Sequence, residues 1–182
     1  VTGVQTCALP ISVSRATVSR QLTPVLKDIT WTIRSGEHWA VTGPNGSGKS
    51  TLLRLILGEL HPYPGGAVTR FGSSDPIPIW DLKTRIGFFS PELQSRHTST
   101  QTVLETVVSG LRGHEGLHQP ATASEIQIGR SFLDEHGIGS LQDQNVHCLS
   151  NGQQRLVFLL RAMINTPSIL LLDEPCSGLD MA

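Results

Sequence analysis

A glycine-rich stretch, GPNGSGKS at residues 43–50, constrains this chain more than any other part of its sequence. It fits the pattern G-x-x-x-x-G-K-[ST] and follows a predicted strand, HWAVTG at residues 38–43. The apolar residues of the next segment recur at helical spacing, which predicts a helix from about Lys49. A strand, a glycine loop and a helix in this order indicate an α/β fold with an anion-binding loop at a helix N-terminus.

The residue types of this loop suit the binding of nucleotide phosphates. Glycines let the backbone adopt positive φ values and approach a ligand closely, so that amides converge on phosphate oxygens. Lys49 is predicted to reach the β- and γ-phosphates, the Ser50 hydroxyl to ligate Mg²⁺, and Thr51 to support the α-phosphate side. A chance glycine-rich turn is the alternative, which the flanking strand and helix disfavour. The predicted nucleotide-binding residues are Gly43, Pro44, Asn45, Gly46, Ser47, Gly48, Lys49, Ser50 and Thr51.

Two neighbouring carboxylates follow a short apolar segment, SILLLD at residues 168–173. A strand that is apolar on both faces belongs in a parallel sheet covered by helices, and ligands bind at the carboxyl ends of such strands. Asp173 is therefore predicted to hold Mg²⁺ through water. Glu174 is predicted to act as general base on the attacking water, or at least to polarise it. A solvated acidic turn is the alternative.

The residues between the loop and the acids change from sheet to helix patterns. TVLE at 102–105 and SEIQ at 124–127 each fit a capping box that opens a helix. They predict a helical insert at about residues 97–150 within the α/β core. His114 and His118 have the spacing of a helical metal pair but lie in a glycine-rich loop. A solvated surface is favoured there over a zinc site, because nothing completes the ligand set.

A second signature, LSNGQQRL at 149–156, lies between this insert and the acidic strand. Ser150 is predicted to cap a helix that runs to about Ile164, and an ordinary capped helix is the alternative for this motif taken alone. Together, GPNGSGKST, LSNGQQ and LLLDEPCSGLD resemble the ATP-binding cassette (ABC) ATPases from roughly Thr17 to the end of the chain. The resemblance implies an α/β P-loop NTPase fold, with a three-layer core, a small antiparallel β part and a helical insert.

The same resemblance implies that two cassettes sandwich two molecules of ATP, with Mg²⁺, head to tail. Lys49 and Glu174 are then the catalytic residues, and Asp180 belongs to the segment that links the two sites. The residues that would contact the ATP of a partner cassette are Ser150, Asn151, Gly152 and Gln153.

The sequence departs from the family pattern in three places. Asn151 stands where the family has glycine, and asparagine is the residue that best tolerates the left-handed region after glycine. Pro91 stands where the mobile glutamine is expected, and Gln94 is preferred over Glu92 as its replacement. The segment before the first family strand lacks an adenine-stacking aromatic, which leaves the Arg20 guanidinium as a candidate.

The resemblance implies ATP binding and hydrolysis that drive a partner, most often the membrane permease subunits of a transporter. GEHW, SPELQ and GQQRL are similar to the soluble molybdenum-transport-type ATP-binding proteins, which carry two cassettes in one chain. The second cassette is therefore expected either in a homodimer or in tandem. The alternatives are a soluble nucleotide-gated module that acts on ribosomes or DNA, and a fragment that does not hydrolyse ATP.

Composition narrows the partners and the location. A net charge of −1 without a basic stripe gives no reason to expect nucleic acid as a partner. No apolar run approaches the roughly 18 residues of a membrane span, so no direct membrane insertion is expected. The cysteines have no paired spacing, which favours a reducing compartment. We therefore expect a cytoplasmic location, with a peripheral position at the cytoplasmic face of a membrane as a variant.

The sequence gives a separate expectation for each end of the chain. Residues 1–11, VTGVQTCALPI, match the translation of a common short-read sequencing adapter and are expected to have no function. A genuine disordered N-terminus is the alternative. Residues 12–182 are expected to form one incomplete ABC-type domain, truncated at its C-terminus, because the family's switch histidine lies on a strand beyond Asp180. We therefore expect weak MgATP binding and negligible turnover from this chain by itself.

Overall fold

The structure, a computed structural model, describes residues 11–21, 23–96 and 100–175. The chain divides into two compact units, one up to Ile79 and the other from Trp80 onward. The strands are β1 (Ile11–Arg20), β2 (Thr23–Ile33), β3 (Ala67–Arg70), β4 (Ile86–Phe89) and β5 (Ile169–Leu172). The helices are α1 (Lys49–Leu57), α2 (Ile79–Arg85), α3 (Pro91–Arg96), α4 (Val103–Ser109), α5 (Ala123–Glu135) and α6 (Asn151–Met163). Short 3₁₀ turns lie at Gly110–Arg112, Gly139–Leu141 and Val146–Cys148.

An antiparallel sheet with the strand order β2-β1-β3 forms much of the first unit. Its register shifts between Val13 and Ala16, where Arg15 has a left-handed φ of 45°. This bulge inserts the extra residue that the pattern of burial requires, since a regular strand would turn Ala16 to the opposite face from Val13. The buried apolar side chains of β1 are Ile11, Val13, Ala16 and Val18.

The C-terminal end of helix α1 is attached to strand β3 through one side chain. Leu55, Ile56 and Leu57 are buried, and Gly58 ends the helix in the left-handed conformation. The Arg70 guanidinium donates hydrogen bonds to the Leu55 and Ile56 carbonyl oxygens, at 2.6 and 2.8 Å. A cation is favourable at this end of a helix, where backbone carbonyls lack partners. The start of α1, which carries the glycine loop, is thus anchored from its far end.

A parallel strand pair, β4 and β5, lies beside helix α6 in the second unit. The pairing runs from Ile86 opposite Ile169 to Phe89 opposite Leu172, which confirms the parallel strand predicted for SILLLD. The helices of this unit enclose an apolar core. Its buried members are Phe89, Val103, Leu104, Val107, Val108, Leu133, Val146, Leu149, Val157, Phe158, Leu160 and Ile164.

Three helices of the second unit begin with a capping box, in which a hydroxyl and a side chain three residues later satisfy each other's backbone amides. Thr102 with Glu105 opens α4, as the sequence predicts, and Ser150 with Gln153 opens α6. The box predicted at Ser124 is wrong, because Thr122 with Glu125 opens α5 instead. The Ser124 hydroxyl lies 3.1 Å from that of Thr122 and supports the cap from inside the helix.

The strand predicted at residues 38–43 is absent. Within the described ranges, no strand pairs with this segment, which runs as irregular chain. Trp39 is 57% exposed and contacts the half-buried Trp31 edge to face, at 5.4 Å between ring centroids. An alternating pattern does not by itself make a strand, because a strand requires a neighbour that exchanges backbone hydrogen bonds.

No helix in the described part of the chain combines the length and the apolar character that a membrane span requires.

Candidate nucleotide-binding site

The glycine loop of the first unit leads directly into the N-terminus of helix α1. The Ser47 amide donates to the Pro44 carbonyl oxygen at 3.2 Å, which closes a turn inside the loop. Gly46 and Gly48 have φ values of 79° and 97°, in the left-handed region that favours glycine. At Gly48 a Cβ atom would also lie 3.0 Å from the Leu26 side chain and 3.1 Å from that of Val25. Glycine is therefore required at residue 48 for both conformation and space.

Helix α1 begins without a side-chain cap. Gly48 occupies the N-cap position and offers no oxygen to the first amides of the helix. Uncapped amides at a helix N-terminus, together with the helix dipole, favour an anion. The loop is exposed, Lys49 and Thr51 are half-buried, and Ser50 is exposed. The predicted phosphate-binding residues 43–51 thus form one continuous and accessible segment.

The Lys49 ammonium group folds back over the start of the loop. Its Nζ donates to the carbonyl oxygens of Gly43 and Pro44, at 2.9 and 3.0 Å. These two bonds close a ring from the first loop residues to the first residue of α1. They hold a positive charge at the loop, where a phosphate group would meet it.

The two predicted acids follow strand β5 in the second unit. The Asp173 amide donates to the Phe89 carbonyl oxygen at 2.9 Å and so extends the ladder by one bond beyond the strands. Asp173 is half-buried, and Glu174 is exposed with a left-handed φ of 45°. The chain therefore turns sharply at Glu174, directly after the sheet edge where ligands bind in parallel sheets.

Gln94 is attached to the start of helix α6. It lies on α3, which follows β4 at the same sheet edge, and its Nε2 donates to Gln154 Oε1 at 3.2 Å. Gln154 Nε2 donates in turn to the Leu149 carbonyl oxygen at 3.0 Å. The structure thus joins Gln94 to the LSNGQQRL segment, and Glu92 is exposed on the same short helix.

Gln154 contributes to this region but is not among the site residues predicted from the sequence. The available signal was the second glutamine of GQQ, which follows directly on the capping residue Gln153. Gln153 serves the cap and Gln154 serves the contact with α3, so the two adjacent glutamines act on different neighbours.

The first turn of α6 holds its own N-terminus in place. Ser150 Oγ accepts a hydrogen bond from the Gln153 amide at 3.3 Å, and Gln153 Oε1 accepts one from the Ser150 amide at 3.0 Å. All four predicted residues of this turn, Ser150, Asn151, Gly152 and Gln153, are exposed. Asp180, the remaining predicted contact, lies outside the described residues.

The described residues contain no cluster of three or more His, Cys, Asp or Glu side chains that could hold a metal ion. The hydroxyl of Ser50 and the carboxylate of Asp173 are oxygen donors, which Mg²⁺ prefers, and Mg²⁺ in nucleotide sites keeps several waters and takes phosphate oxygens. Each of these side chains, taken by itself, is therefore a suitable donor for a Mg²⁺ ion whose other ligands are phosphate oxygens and water.

A glycine loop at an uncapped helix N-terminus, in a chain with a parallel strand pair that ends in carboxylates, defines the class of P-loop nucleotide-binding proteins. Residues 26–177 match the family described as ABC transporter, and the chain belongs to that family. Its predicted fold class and the resemblance of its motifs are thereby confirmed.

Individual proteins agree with this assignment. The chain is 37% identical over 174 residues to the ABC transporter ATP-binding protein ModF of Escherichia coli, covering 93% of this chain and 35% of ModF. It is 32% identical over 173 residues to the manganese transport system ATP-binding protein MntB of Bacillus subtilis, covering 95% and 67%. This chain thus spans about a third of the length of ModF and about two thirds of that of MntB.

A solved structure agrees as well. CbiO1 of Clostridium perfringens, part of the ABC transporter complex cbiONQ, superposes with a TM-score of 0.74 at 28% identity, over 95% of this chain and 68% of CbiO1. A nucleotide-free ATP-binding cassette from an ABC transporter gives a TM-score of 0.77 at 22% identity, a likeness of fold.

Proposed function

We propose that this chain is an ATP-binding and ATP-hydrolysing cassette that drives transport across a membrane. The observation that carries the proposal is the uncapped start of α1, where the amides of the glycine loop and the Lys49 ammonium group present positive charge to solvent. A triphosphate is the ligand that this arrangement suits, because it places several anionic oxygens on adjacent donors.

The glycine loop and Lys49 bind the β- and γ-phosphates of ATP. The phosphate oxygens take over the two hydrogen bonds that Lys49 Nζ makes to the Gly43 and Pro44 carbonyl oxygens. A charge-assisted bond to phosphate is stronger than a bond to a neutral carbonyl, so this exchange favours the bound state. Ser50 and Asp173 would hold Mg²⁺, Asp173 through water, and the bound ion would supply positive charge that offsets the charge of the phosphates.

Glu174 acts on the water that attacks the γ-phosphate. It accepts a proton from that water, or orients it, as the bond between the γ-phosphorus and the leaving oxygen breaks to yield ADP and inorganic phosphate. Its position supports this role, because it directly follows a parallel strand on an exposed, sharply turned backbone. Lys49 stabilises the charge of the transferring group.

A second cassette completes the site. Ser150, Asn151, Gly152, Gln153 and Asp180 serve the ATP that a partner cassette holds, in a homodimer or a tandem chain. The exposure of the first turn of α6 supports this assignment, since a turn that meets a partner's ligand must be accessible. Gln94 takes the place of the mobile glutamine and links the nucleotide to α6 through Gln154.

Transport is favoured over a role on ribosomes or DNA by the names of the relatives. MntB and the Treponema pallidum relative TroB are described as ATP-binding proteins of manganese and zinc transport systems. We infer that this chain works with permease subunits at the cytoplasmic face of a membrane, and that nucleic acid is not a partner.

Two matched variants test the proposal. Glu174→Gln removes the base but keeps the phosphate loop, so it is expected to bind MgATP with unchanged affinity and to lose at least 100-fold in hydrolysis. Lys49→Ala removes the charge-assisted bonds to phosphate and is expected to weaken MgATP binding by about 10- to 100-fold, at about 1.5–3 kcal/mol for such bonds. Calorimetric titration gives the affinities, and phosphate release gives the rates.

The exposed Lys27→Ala serves as the control for loss of a lysine charge in the same unit and is expected to change neither quantity. Parental hydrolysis by Glu174→Gln would disprove the base assignment. Parental affinity in Lys49→Ala would disprove the phosphate loop as the nucleotide site.

A further inference from the structure

Gln154 is not assigned to nucleotide, yet its side chain uses both polar atoms of its amide group. Its Oε1 accepts a hydrogen bond from Gln94 Nε2 at 3.2 Å, and its Nε2 donates to the Leu149 carbonyl oxygen at 3.0 Å. Gln154 is half-buried, and Leu149 is buried in the apolar core of the second unit. One side chain therefore connects α3 to the residue that directly precedes the N-cap of α6.

The α3 side of this connection is fixed at the edge of the parallel strand pair. The Gln94 amide donates to the carbonyl oxygen of the buried Ser90, directly after β4, at 3.3 Å. The Ser90 hydroxyl accepts from the Leu93 amide at 3.2 Å. The preceding carbonyl oxygen, that of Phe89, accepts from the Asp173 amide at 2.9 Å. Two consecutive carbonyl groups at the end of β4 thus hold the backbone of Asp173 and that of Gln94.

The α6 side of the connection is the first turn of that helix, residues 150–153, which is exposed. The bonds of its capping box all lie within the turn itself. The bond from Gln94 to Gln154 joins the turn to another element, one residue after the capping residue Gln153. A group that contacts a reacting ligand must be held closely in place, since a shift of about 1 Å can cost about 100-fold in rate.

We propose that Gln154 is a positioning residue that makes the first turn of α6 respond to the nucleotide bound by the same chain. The inference rests on the proposed function, in which Gln94 contacts that nucleotide and the turn serves the ATP of a partner cassette. A nucleotide contact at Gln94 Oε1 polarises the amide and strengthens its bond to Gln154, because linked hydrogen bonds reinforce one another. ATP in one site thereby orders the turn that completes the other site, which couples the two binding events.

Hydrogen exchange without nucleotide tests the connection itself. Gln154→Met and Gln94→Met each remove the bond between the two side chains and keep an unbranched side chain. We expect each variant to speed exchange of the Gln153 amide by about threefold to tenfold, the effect of losing one neutral hydrogen bond. Gln94→Met should add nothing in a chain that already carries Gln154→Met, because both remove the same bond. Gln127→Met, at an exposed glutamine of α5, is the matched control and should leave this exchange unchanged.

Addition of MgATP to the same variants tests the coupling. In the parent we expect slower exchange in the glycine loop, residues 46–51, and slowing of the Gln153 amide by about twofold or more. In Gln154→Met the loop amides should still slow, because the phosphate loop is unchanged, whereas the Gln153 amide should no longer respond. Gln94→Met should lose the same response, which breaks the connection from its other side.

The outcomes separate this inference from the proposed function. Equal slowing of the Gln153 amide in the parent and in Gln154→Met would overturn the positioning role. Slowing in the loop of the parent without any response at Gln153 would overturn the coupling alone. The same acceleration by Gln94→Met with and without Gln154→Met would show that the two side chains do not act through one bond. A loop that does not respond to MgATP in the parent would contradict the proposed function itself.

Discussion

Helices α1 and α6 both begin at residues assigned to nucleotide phosphates, yet their N-termini are built in different ways. At α1 the N-cap is Gly48, and no side chain accepts from the first amides. At α6 the N-cap is Ser150, whose hydroxyl accepts from the Gln153 amide while Gln153 closes the capping box. One helix start leaves its donors for a ligand, and the other satisfies part of them from its own sequence.

This difference predicts how the stability of each helix N-terminus depends on a bound ligand. An uncapped start gains hydrogen bonds when an anion arrives, so its stability depends on the ligand. A capped start is already held before any ligand arrives. In the proposed function it would be a fixed surface against which the nucleotide of a partner cassette docks. Gln94 adds to this on the α6 side, since it attaches α3 to Gln154 in the same first turn.

The largest effect is expected where the uncapped start has no space for a side chain. Gly48→Ala forces a Cβ atom into the left-handed region and to 3.0 Å from the Leu26 side chain, so we expect a loss of about 2–3 kcal/mol in the free energy of unfolding. Gly46→Ala carries the same kind of backbone strain with nothing within 4 Å of its Cβ atom, and about 1 kcal/mol is expected. Urea denaturation monitored by tryptophan fluorescence measures both.

Equal losses at residues 46 and 48 would show that close packing at Gly48 contributes nothing and that backbone conformation alone requires glycine there. A loss below about 0.5 kcal/mol at Gly48 would contradict the left-handed cap itself.

Local patterns in the sequence were enough to predict the capped start of α6, but they did not predict which residue caps α5. The cap at Ser150 and the apolar strand before Asp173 depend on neighbours within four residues, and both predictions are confirmed. Two capping-box patterns overlap at the start of α5, and the structure uses Thr122. Arg112, which lies outside that pattern, binds Glu125 through two hydrogen bonds of 2.7 Å and favours the earlier box.

The features that were predicted wrongly or not at all have the same physical origin. The strand expected at residues 38–43 depends on a pairing partner, which an alternating pattern cannot supply. The contact of Gln94 with Gln154 joins residues 60 positions apart, and no local period indicates it. In the candidate site, the sequence therefore predicted the residues of each motif, whereas the contacts that hold the motifs in place needed the folded chain.

A smaller effect is expected at the capped start. Ser150→Ala removes the acceptor of the Gln153 amide and is expected to lower the free energy of unfolding by about 1 kcal/mol. Ser150→Asp restores an acceptor and should recover most of that loss. Hydrogen exchange of the Gln153 amide checks the mechanism, because it should speed up in Ser150→Ala and not in Ser150→Asp. Unchanged exchange in Ser150→Ala would mean that α6, like α1, begins without an effective cap.

The smallest effect concerns a capped start whose acceptor can be titrated. Hydrogen bonds from the Arg112 guanidinium and from the Thr122 amide lower the pKa of Glu125 to about 2, from an unfolded value of about 4.5. A lowered carboxyl pKa contributes stability above the unfolded value, which is lost as the pH falls from about 4.5 towards 2. Glu125→Gln keeps the capping box, as Gln153 does in α6, and removes the charge. Because the pair lies near the surface, we expect a loss below about 1 kcal/mol at pH 7.

Urea denaturation of the parent and Glu125→Gln at pH 7 and near pH 2.5 measures this difference, which should shrink in acid as Glu125 takes up its proton. Glu105→Gln changes the equivalent position of the α4 box and serves as the matched control, because Arg112 binds Glu125. A difference that persists unchanged near pH 2.5 would assign the stability to packing and not to charge. Helix α1 has glycine at its N-cap and no acidic residue in its first turn, so it has no counterpart to this titration. The stability of the two kinds of helix start is therefore expected to depend differently on pH as well as on ligand.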